Sequence, residues 1–379
     1  MLTESESALA RAVLIHGPIS RSALTSRLNL SPASLTRLAK PFLDNGVLVE
    51  LDDYSDGSVG RPVRPLDVSP SLGGFVGVKL TGDVIYAVST DARANPTMTI
   101  EAAIADRDPA AVAQQIVGVV HALGASELVG VGVAIGASVT DDTVERAPFL
   151  GWEDVPFAEM LSAVLGVPVT LENDLIALAE AEHWFGSGRG IPGFNVITIG
   201  TGIGHALVIH DQVVRSREAG VGLAGHIPLA PSGPRCSLGH IGCAQAMLTS
   251  GSIAAQVSAA LRRPVTYDDS LALARQGDPA ARSIVDAASD ALGRLIALAA
   301  DFTLQPTVVL AGDGIELFGV NEERVRAAAL SDRDPLADPL TIHVDRSGFT
   351  AWARGAAAIA IQAALRRLNL ADRQPSTRG

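Results

Sequence analysis

The chain has 379 residues, a formal net charge of −12, and 47% hydrophobic against 18% charged residues. This length predicts two or three domains, and the composition predicts a compact fold. The acidic balance argues against a protein whose whole surface is coated in nucleic acid. No apolar run of membrane-spanning length and no secretory signal are recognisable, and two cysteines are too few for a disulfide framework. We therefore expect a cytoplasmic protein without membrane contact.

Three short helices are predicted in a basic segment near the start of the chain. Between Arg11 and Val49 the only anion is Asp44, and the cations are Arg11, Arg21, Arg27, Arg37 and Lys40. The predicted boundaries are a first helix capped by Ser5 or Ser7 and ended by Gly17-Pro18, a second from Arg21 to Leu28, and a third from Ser31-Pro32 to Asn45-Gly46. The apolar positions of the third helix, Leu35, Leu38 and Phe42, share one face.

Two short helices joined by a tight turn, the second one capped and basic, have helix-turn-helix spacing. Residues 47–51 predict a strand, followed by an acidic, glycine-bearing turn and two arginines, which is the outline of a wing. The predicted DNA-contacting residues are Ser31, Ser34, Arg37, Lys40, Arg61 and Arg64, the last two in a minor groove or on phosphates. The alternative is a three-helix protein-binding module with an incidental basic face. We expect residues 1–70 to form a DNA-binding domain.

Residues 73–379 alternate between β-rich and helical runs, which predicts an α/β architecture with ligands near the carboxyl ends of strands. Predicted strands include residues 129–135 and 167–171, and predicted helices include residues 157–165, 252–261 and 283–300.

Three segments of this body resemble, in order and spacing, the ROK family of repressors and sugar kinases. They are Glu172-Asn173-Asp174, Gly200-Thr201-Gly202-Ile203-Gly204, and the run from Gly225-His226 to Gly242-Cys243. The resemblance covers essentially the whole chain and is strongest to the sugar-responsive repressors, which carry a winged helix-turn-helix head. It implies a two-lobed, actin-like body built from ribonuclease-H-like α/β units, with a C-terminal helix at about residues 350–368 packing on the first lobe.

The resemblance also implies that Asn173, Asp174 and His226 contact a sugar or sugar-derived effector. In the family's kinases the matching aspartate is the base that acts on a sugar hydroxyl. The alternative for Asn173 and Asp174 is a plain helix cap. For the run from Gly200 to Gly204, we favour a glycine-rich hairpin over a phosphate-binding loop.

The kinase signature itself is incomplete. Lys79 stands where the family has the aspartate of an Asp-x-Gly-Gly-Thr loop, so an ammonium group replaces the carboxylate that manages metal-bound phosphates. Leu223, Phe149 and Gln245 replace a glutamate, an asparagine and a glutamate of the family's sugar site. We expect no ATP, no catalytic residue, and an effector unlike glucose or no effector at all.

The family's zinc pattern, His…Cys-x-Cys-x4-Cys, is partly present. His226, Cys236 and Cys243 match it, whereas Leu238 stands in place of the middle cysteine. His240, two residues later, is a candidate fourth ligand. A disulfide between the cysteines and two free thiols are the alternatives to one structural zinc ion.

The combined prediction is a non-enzymatic transcription regulator, a repressor of carbohydrate-related genes, acting as a homodimer or homotetramer on a pseudo-palindromic double-stranded DNA operator. Effector binding between the lobes would change the spacing of the heads and with it the DNA affinity. Two alternatives remain open: an active sugar kinase with an appended DNA-binding head, and a regulator that responds to no ligand.

Overall fold

A computed structural model describes residues 2–51, 64–125, 127–216, 218, 221–331 and 333–370. The chain divides into two compact units. Unit 1 consists of Met1–Ile135, Val139–Glu172 and Ala353–Gly379, and unit 2 of Gly136–Ser138 and Asn173–Trp352. Within the described ranges, no helix combines the length and the apolar character needed to cross a lipid bilayer.

Helix α1 (Glu4–His16) begins at a capping box. The Thr3 hydroxyl accepts from the Glu6 N–H at 3.3 Å, and the Glu6 carboxylate accepts from the Thr3 N–H at 2.8 Å. The prediction that Ser5 or Ser7 caps this helix is wrong, because both lie inside the first turn. Thr3 is the better cap because the glutamate three residues later pairs with it reciprocally.

Helices α2 (Arg21–Leu28) and α3 (Pro32–Asp44) confirm the predicted helix-turn-helix. α2 ends at Asn29, which has the left-handed φ of 51° that asparagine tolerates well. α3 begins after Ser31, whose hydroxyl accepts from the Ser34 N–H at 3.2 Å. Strands β1 (Leu48–Glu50) and β2 (Leu66–Val68) then pair antiparallel. The predicted turn of the wing lies in residues 52–63, outside the described residues.

The head has its own apolar core. Its fully or almost fully buried members come from all three helices and both strands: Leu9, Val13, Leu24, Leu35, Phe42, Leu48 and Leu66. Leu365, Leu368 and Leu370, near the end of the described chain, pack against this cluster. The head is therefore completed by residues distant in sequence.

The main sheet of unit 1 mixes antiparallel and parallel strands. The strands that follow the head are β3 (Gly74–Leu80), β4 (Val84–Thr90), β5 (Pro96–Ala103), β6 (Leu128–Ile135), β7 (Ser138–Thr140), β8 (Thr143–Ala147), β9 (Trp152–Val155) and β10 (Val169–Asn173). Five of them form a sheet of order β10-β6-β3-β4-β5, in which β3, β4 and β5 are an antiparallel meander and β6 is parallel to β3. β7, β8 and β9 form a separate small sheet. Helices α4 (Pro109–Ala122) and α5 (Phe157–Leu165) follow β5 and β9.

Unit 2 repeats the same strand pattern. Its strands are β11 (Phe194–Ile199), β12 (Ile203–Ile209), β13 (Gln212–Val213), β14 (Thr307–Ala311) and β15 (Thr341–Val344), in the order β13-β12-β11-β14-β15. β11, β12 and β13 are an antiparallel meander, and β14 is parallel to β11. Its helices are α6 (Asp174–Phe185), α7 (Ala244–Leu248), α8 (Ser250–Leu261), α9 (Tyr267–Arg275), α10 (Pro279–Thr303), α11 (Glu316–Val320) and α12 (Glu322–Ser331). The repetition confirms the predicted α/β body of ribonuclease-H-like units.

The predicted helix at residues 157–165 agrees with α5, but α10 is longer than the predicted 283–300. α10 begins after Asp278, whose carboxylate accepts from the Ala280 and Ala281 N–H groups at 3.0 and 2.9 Å. This Asp-Pro start lies outside the apolar run on which the prediction depends.

The last helix, α13 (Phe349–Arg367), lies backbone to backbone against two strands of unit 1. A Cβ atom on Gly77 of β3 would overlap the carbonyl oxygen of Ala353, and one on Gly132 of β6 would overlap that of Ala356. Ala357 and Ala358 are also completely buried, so this part of the helix buries small side chains. Glycine is therefore required at both strand positions by the closeness of the helix.

We predict that Gly132→Ala destabilises the protein by about 1–3 kcal/mol, because the added methyl group meets a backbone carbonyl that cannot rotate away. The urea midpoint of the full chain measures this. Gly118→Ala in α4 is the control, since a Cβ atom there meets nothing within 4 Å. That change should stabilise the helix by up to about 1 kcal/mol. Equal midpoints for the two variants would contradict the close packing of α13.

Candidate functional site

The exposed face of α3 is small, polar and basic. Ala33, Arg37 and Lys40 are exposed, as predicted for a helix that enters a major groove. Thr36, which was not among the predicted DNA-contacting residues, is exposed on the same face. Its spacing of three residues from Ala33 and four from Lys40 indicates this position on the helix.

Ser31 and Ser34, both predicted to contact DNA, are joined at the start of α3. The Ser31 hydroxyl donates to the Ser34 hydroxyl at 3.0 Å while it caps the helix. Ser31 therefore has a structural role in addition to any contact with DNA, and Ser34 is presented at the first turn. Arg64 is exposed at the end of the wing, and Arg61 lies outside the described residues.

One predicted cation of the basic segment is engaged within the head. The Arg21 guanidinium forms a 2.5 Å ion pair with the Glu50 carboxylate, and this pair joins α2 to β1. The pair therefore contributes to the arrangement of the helix and the strand.

Four side chains of unit 2 converge in one cluster: His226, Cys236, His240 and Cys243. One ligand atom from each residue lies within 4.8 Å of all the others. The Nδ1 atoms of the two histidines are 3.2 Å apart, and the Cys236 Sγ atom lies 3.8 Å from the Nδ1 of His226 and 3.7 Å from that of His240. Both cysteines are free thiols, so the disulfide alternative does not describe this structure.

The separations among His226, Cys236 and His240 fit three corners of a tetrahedral metal site, and the Cys243 Sγ atom lies within 4.8 Å of these ligand atoms. With Zn–S bonds of about 2.3 Å and Zn–N bonds of about 2.0–2.1 Å, a tetrahedron has edges of about 3.3 Å between nitrogens and about 3.6 Å between nitrogen and sulfur. The observed edges are 3.2 Å and 3.7–3.8 Å. His240 thus occupies the place that the cysteine expected at Leu238 leaves open, and the Leu238 side chain is exposed.

The backbone explains how His240 reaches the cluster. The Cys236 N–H donates to the His240 carbonyl at 3.0 Å, and the Gly239 N–H donates to the Cys236 carbonyl at 2.9 Å. Gly239 has φ 88° and closes this turn, so Cys236 and His240 point to the same side. Cys243 is fixed separately, as the residue before α7.

The two thiols differ in acidity. Burial raises the pKa of the Cys236 thiol, but hydrogen bonds from the backbone at Leu238 and His240 outweigh it, and the net pKa shift is downward. Burial is the largest cause of the raised pKa of Cys243. Cys236 is therefore the more acidic of the two thiols.

Asn173 and Asp174 lie at the junction of β10 and α6, as predicted. The Asn173 side chain is 4% exposed, and its oxygen accepts from the N–H groups of Leu175 and Ile176 at 3.0 and 3.3 Å. Its Nδ2 donates to the Ala137 carbonyl at 3.0 Å. Asn173 is therefore the N-cap of α6, the alternative that the sequence left open. The Asp174 carboxylate accepts from the Leu175 N–H at 2.8 Å.

The loop that would carry the kinase aspartate is a closed hairpin between β3 and β4. Lys79, in β3, is 5% exposed. The Thr81 N–H donates to the Val84 carbonyl at 3.1 Å, and the Thr81 hydroxyl accepts from the Val84 N–H at 2.9 Å. Arg107 binds Asp83 in an exposed 2.6 Å ion pair. No extended phosphate loop is present at this strand end.

The run from Gly200 to Gly204 is the turn of the β11–β12 hairpin, in agreement with the favoured prediction. The Gly200 N–H donates to the Gly202 carbonyl at 3.1 Å, so this amide is already paired. The carboxylate of Asp313, which follows β14, lies so close to Gly200 that a Cβ atom there would overlap it. The strand pairing brings these loops together, because β11 and β14 are parallel neighbours.

Asp313 is held in this place by its own short loop. The Gly314 N–H donates to the Ile199 carbonyl at 2.8 Å, and the Tyr267 hydroxyl donates to the Gly314 carbonyl at 2.7 Å. Burial raises the pKa of Tyr267, so this donor stays protonated. An anion is thus fixed beside the turn where a nucleotide phosphate would need bare amides. No sequence motif singles out Asp313, since its neighbour in space, Gly200, is more than a hundred residues away.

The residues that replace the family's sugar ligands lie in different environments. Phe149 and Leu223 are 62% and 56% exposed. Gln245 packs against Gly225, the residue before His226. Trp152, which follows Phe149 closely, is a packing residue, since it stacks on Phe157 at 4.7 Å and its indole N–H donates to the Arg107 carbonyl.

Curated proteins similar to this chain include both regulators and kinases. It is 24% identical over 339 residues to the DNA-binding transcriptional repressor Mlc of Escherichia coli K12, which covers 83% of each protein. It is 25% identical over 334 residues to the DNA-binding transcriptional dual regulator NagC of the same organism, covering 82% of this chain and 80% of NagC. It is 33% identical over 221 residues to the glucokinase of Thermotoga maritima, covering 52% of this chain and 68% of the kinase.

Solved structures give the same picture. A ROK family transcriptional regulator, described as a homolog of E. coli Mlc, superposes with a TM-score of 0.79 over 95% of both chains at 22% identity, which shows the shared fold. The ROK hexokinase from Thermus thermophilus superposes with a TM-score of 0.64 at 26% identity, over 76% of this chain and 98% of the hexokinase. Residues 77–363 match the model of the ROK family. Because this match spans most of the body, with its repeated sheets and its His-Cys cluster, the chain belongs to the ROK family.

Proposed function

We propose that this chain is a DNA-binding transcriptional regulator that represses carbohydrate-related genes. The observation that carries the proposal is the joining of a capped, basic helix-turn-helix to a kinase-like body whose two phosphate-facing loops carry Lys79 and Asp313 in unsuitable positions. The similarity to Mlc and NagC supports it, because each alignment covers more than four fifths of this chain.

DNA reading is assigned to the exposed face of α3. Arg37 supplies a guanidinium able to bind a guanine edge in two hydrogen bonds, and Lys40 supplies a point charge for a phosphate. Ser34 and Thr36 add hydroxyl groups beside them. Arg61 and Arg64 of the wing would contact a flanking groove. Two heads in a homodimer or homotetramer would read the two halves of a pseudo-palindromic operator.

We predict that Arg37→Ala weakens binding to a duplex from the gene's own upstream region by about tenfold to a hundredfold, the cost of about 1–3 kcal/mol for losing one base contact. Lys40→Ala should weaken all duplexes alike and lower the salt dependence by about one unit of log–log slope. Gel shifts measure both effects. Arg282→Ala, which removes a 64% exposed arginine from α10, is the control. A wild-type protein that shifts no duplex at low salt, with its fold intact, excludes the proposal.

Phosphoryl transfer is disfavoured in each unit by a separate charge. In unit 1, Lys79 puts a cation at the strand end where magnesium-bound phosphates require an anion. In unit 2, the fixed Asp313 carboxylate opposes a phosphate at the β11–β12 turn, and the Gly200 amide is already paired. Electrostatic stabilisation is the largest contribution to this chemistry, so its inversion removes the basis for turnover.

Asp174 and His226 are assigned to an effector of the sugar or sugar-derivative class, and Asn173 mainly holds the strand–helix junction. The loss of three family ligands at Phe149, Leu223 and Gln245 makes a glucose-like effector a poor fit, because each buried hydroxyl without a partner is costly. The effector would act by binding one conformation of the regulator better than another.

A panel of sugars and sugar phosphates, with and without Mg-ATP, tests these assignments. We predict no ADP release above the uncatalysed rate with any member. A sugar-type effector should raise the melting temperature of the wild type but not of Asp174→Ala. His121→Ala on α4 is the control. ADP release that Asp174→Asn abolishes would establish an active kinase, and a panel without any stabilisation would favour a regulator that responds to no ligand.

One structural zinc ion is assigned to the cluster of His226, Cys236, His240 and Cys243. Four protein ligands close the coordination shell, so the ion would hold the His226 and Cys243 segments together and would supply no reactive water. The supporting observations are the agreement of the three separations among His226, Cys236 and His240 with tetrahedral edges, and the presence of Cys243 within 4.8 Å.

We predict one zinc per chain by elemental analysis of protein purified without chelator. His240→Ala should reduce zinc affinity at least tenfold, because it removes one of the four ligands, whereas His121→Ala should leave it unchanged. Chelation should lower the melting temperature of the wild type more than that of Cys236→Ser. A zinc-free wild type that takes up none on addition would exclude the site, and full affinity in His240→Ala would exclude His240 as a ligand.

A further inference from the structure

The turn between β4 and β5, residues 91–95, lies between the DNA-reading head and the sheet of unit 1. It is internally fixed. The Asp91 carboxylate accepts from the Arg93 and Asn95 N–H groups at 2.8 and 3.0 Å, and from Asn95 Nδ2 at 2.8 Å. Ala94 has the left-handed φ of 54° and is completely buried. A non-glycine residue adopts this conformation at a cost, so its surroundings hold it there.

Arg93 extends from this turn into the head. Its Nε donates to the Leu14 carbonyl and its Nη2 to the Val13 carbonyl, both at 3.2 Å. These are carbonyls of the last turn of α1, where the partial negative charge of a helix is concentrated. Arg93 also forms a close ion pair with Asp67 of β2. One guanidinium therefore holds both the first helix and the wing strand.

A glycine in the head leaves room for this guanidinium. Gly17 follows α1, and a Cβ atom there would overlap the Arg93 Nη2 atom. The ion pair is largely shielded, with side-chain exposures of 21% for Arg93 and 16% for Asp67. Such a pair contributes more than an exposed one, and it fixes direction as well as contact.

The other side of the same turn is held by α13. Arg354 Nε donates to the Ala94 carbonyl at 2.9 Å, at the residue next to Arg93. Arg354 follows directly on Ala353, whose carbonyl lies against Gly77 of β3. Ala351 and Trp352, the two residues before Ala353, belong to the apolar core of unit 2. The turn thus lies between the helix that leads out of unit 2 and the head that reads DNA.

We propose that residues 91–95 couple the DNA-reading head to α13, with Arg93 as the positioning residue for the head and Arg354 as its partner on the helix. A displacement of α13 moves the Ala94 carbonyl, and the rigid turn passes this movement to α1 and β2 through the Arg93 guanidinium. The part that concerns DNA rests on the proposed function. The mechanical coupling within unit 1 does not.

Hydrogen exchange on the full chain tests the coupling without DNA. Arg93→Ala should speed exchange at the end of α1 about tenfold, because two carbonyls and Asp67 lose their cation. Arg354→Ala should also speed exchange there, because Arg354 holds the Ala94 carbonyl beside Arg93. The double variant should show no more than the effect of Arg93→Ala alone, since Arg354 acts through Arg93.

Arg93→Lys should restore part of the protection, and Arg107→Ala, which removes an exposed arginine of the same unit, should change nothing at α1. Independent, additive effects of the two variants overturn the proposal.

Binding of an upstream duplex provides the second measurement. In the wild type, DNA should slow exchange in residues 91–95 and around Arg354 about threefold or more, because coupling between two sites is reciprocal. In Arg93→Ala, DNA should still bind and slow exchange in the head, but the response around Arg354 should be lost. An unchanged response around Arg354 in this variant, or none there in the wild type with DNA bound, overturns the coupling. A wild type that binds no duplex excludes the DNA function, and the exchange cycle without DNA then decides on the coupling alone.

Discussion

The close approach of α13 to β3 and β6 is the constraint on which the arrangement of unit 1 depends. Two missing methyl groups, at Gly77 and Gly132, let the helix backbone rest directly on the sheet. The distance between the helix and the sheet is therefore set by contact between main chains. On this face of the sheet α13 carries Arg354 to the β4–β5 turn, and the leucines that follow Arg354 reach the core of the head. A DNA-binding head of this size gains a support that its own small core does not provide.

The two units share one topology, and on the proposed function each disfavours phosphate binding in a different way. In unit 1 a lysine occupies the end of β3, and a short hairpin follows it. In unit 2 the glycine turn survives in shape, yet a carboxylate from the neighbouring parallel strand lies against it. Two independent changes in charge are harder to reverse than one. This pattern agrees with the proposed function, in which the scaffold serves binding and conformational change.

The head is predictable from local sequence signals, whereas residues whose partners are distant in the sequence are not. Ser31-Pro32 predicts the start of α3 because a cap and a proline act within one turn, and the ROK motifs locate the His-Cys cluster and the β10–α6 junction. The cap at Thr3 is harder to recognise, because Ser5 and Ser7 offer competing hydroxyl groups within the same few residues. The contact of Arg93 with the head could not be predicted for a different reason. Its partners in α1 lie 79 and 80 residues away, and no periodicity links them. Asp313 likewise acquires meaning only when β14 pairs with β11.

The use of His240 as a ligand in place of a cysteine also alters the charge and the acid–base character of the His-Cys cluster. Two thiolates and two neutral imidazoles balance the charge of a divalent ion, whereas three thiolates and one imidazole leave an excess negative charge. Imidazole is largely deprotonated at neutral pH, but a thiol must release its proton to coordinate. Occupation of this cluster therefore liberates fewer protons than the three-cysteine arrangement does, and its stability should vary less across mildly alkaline pH.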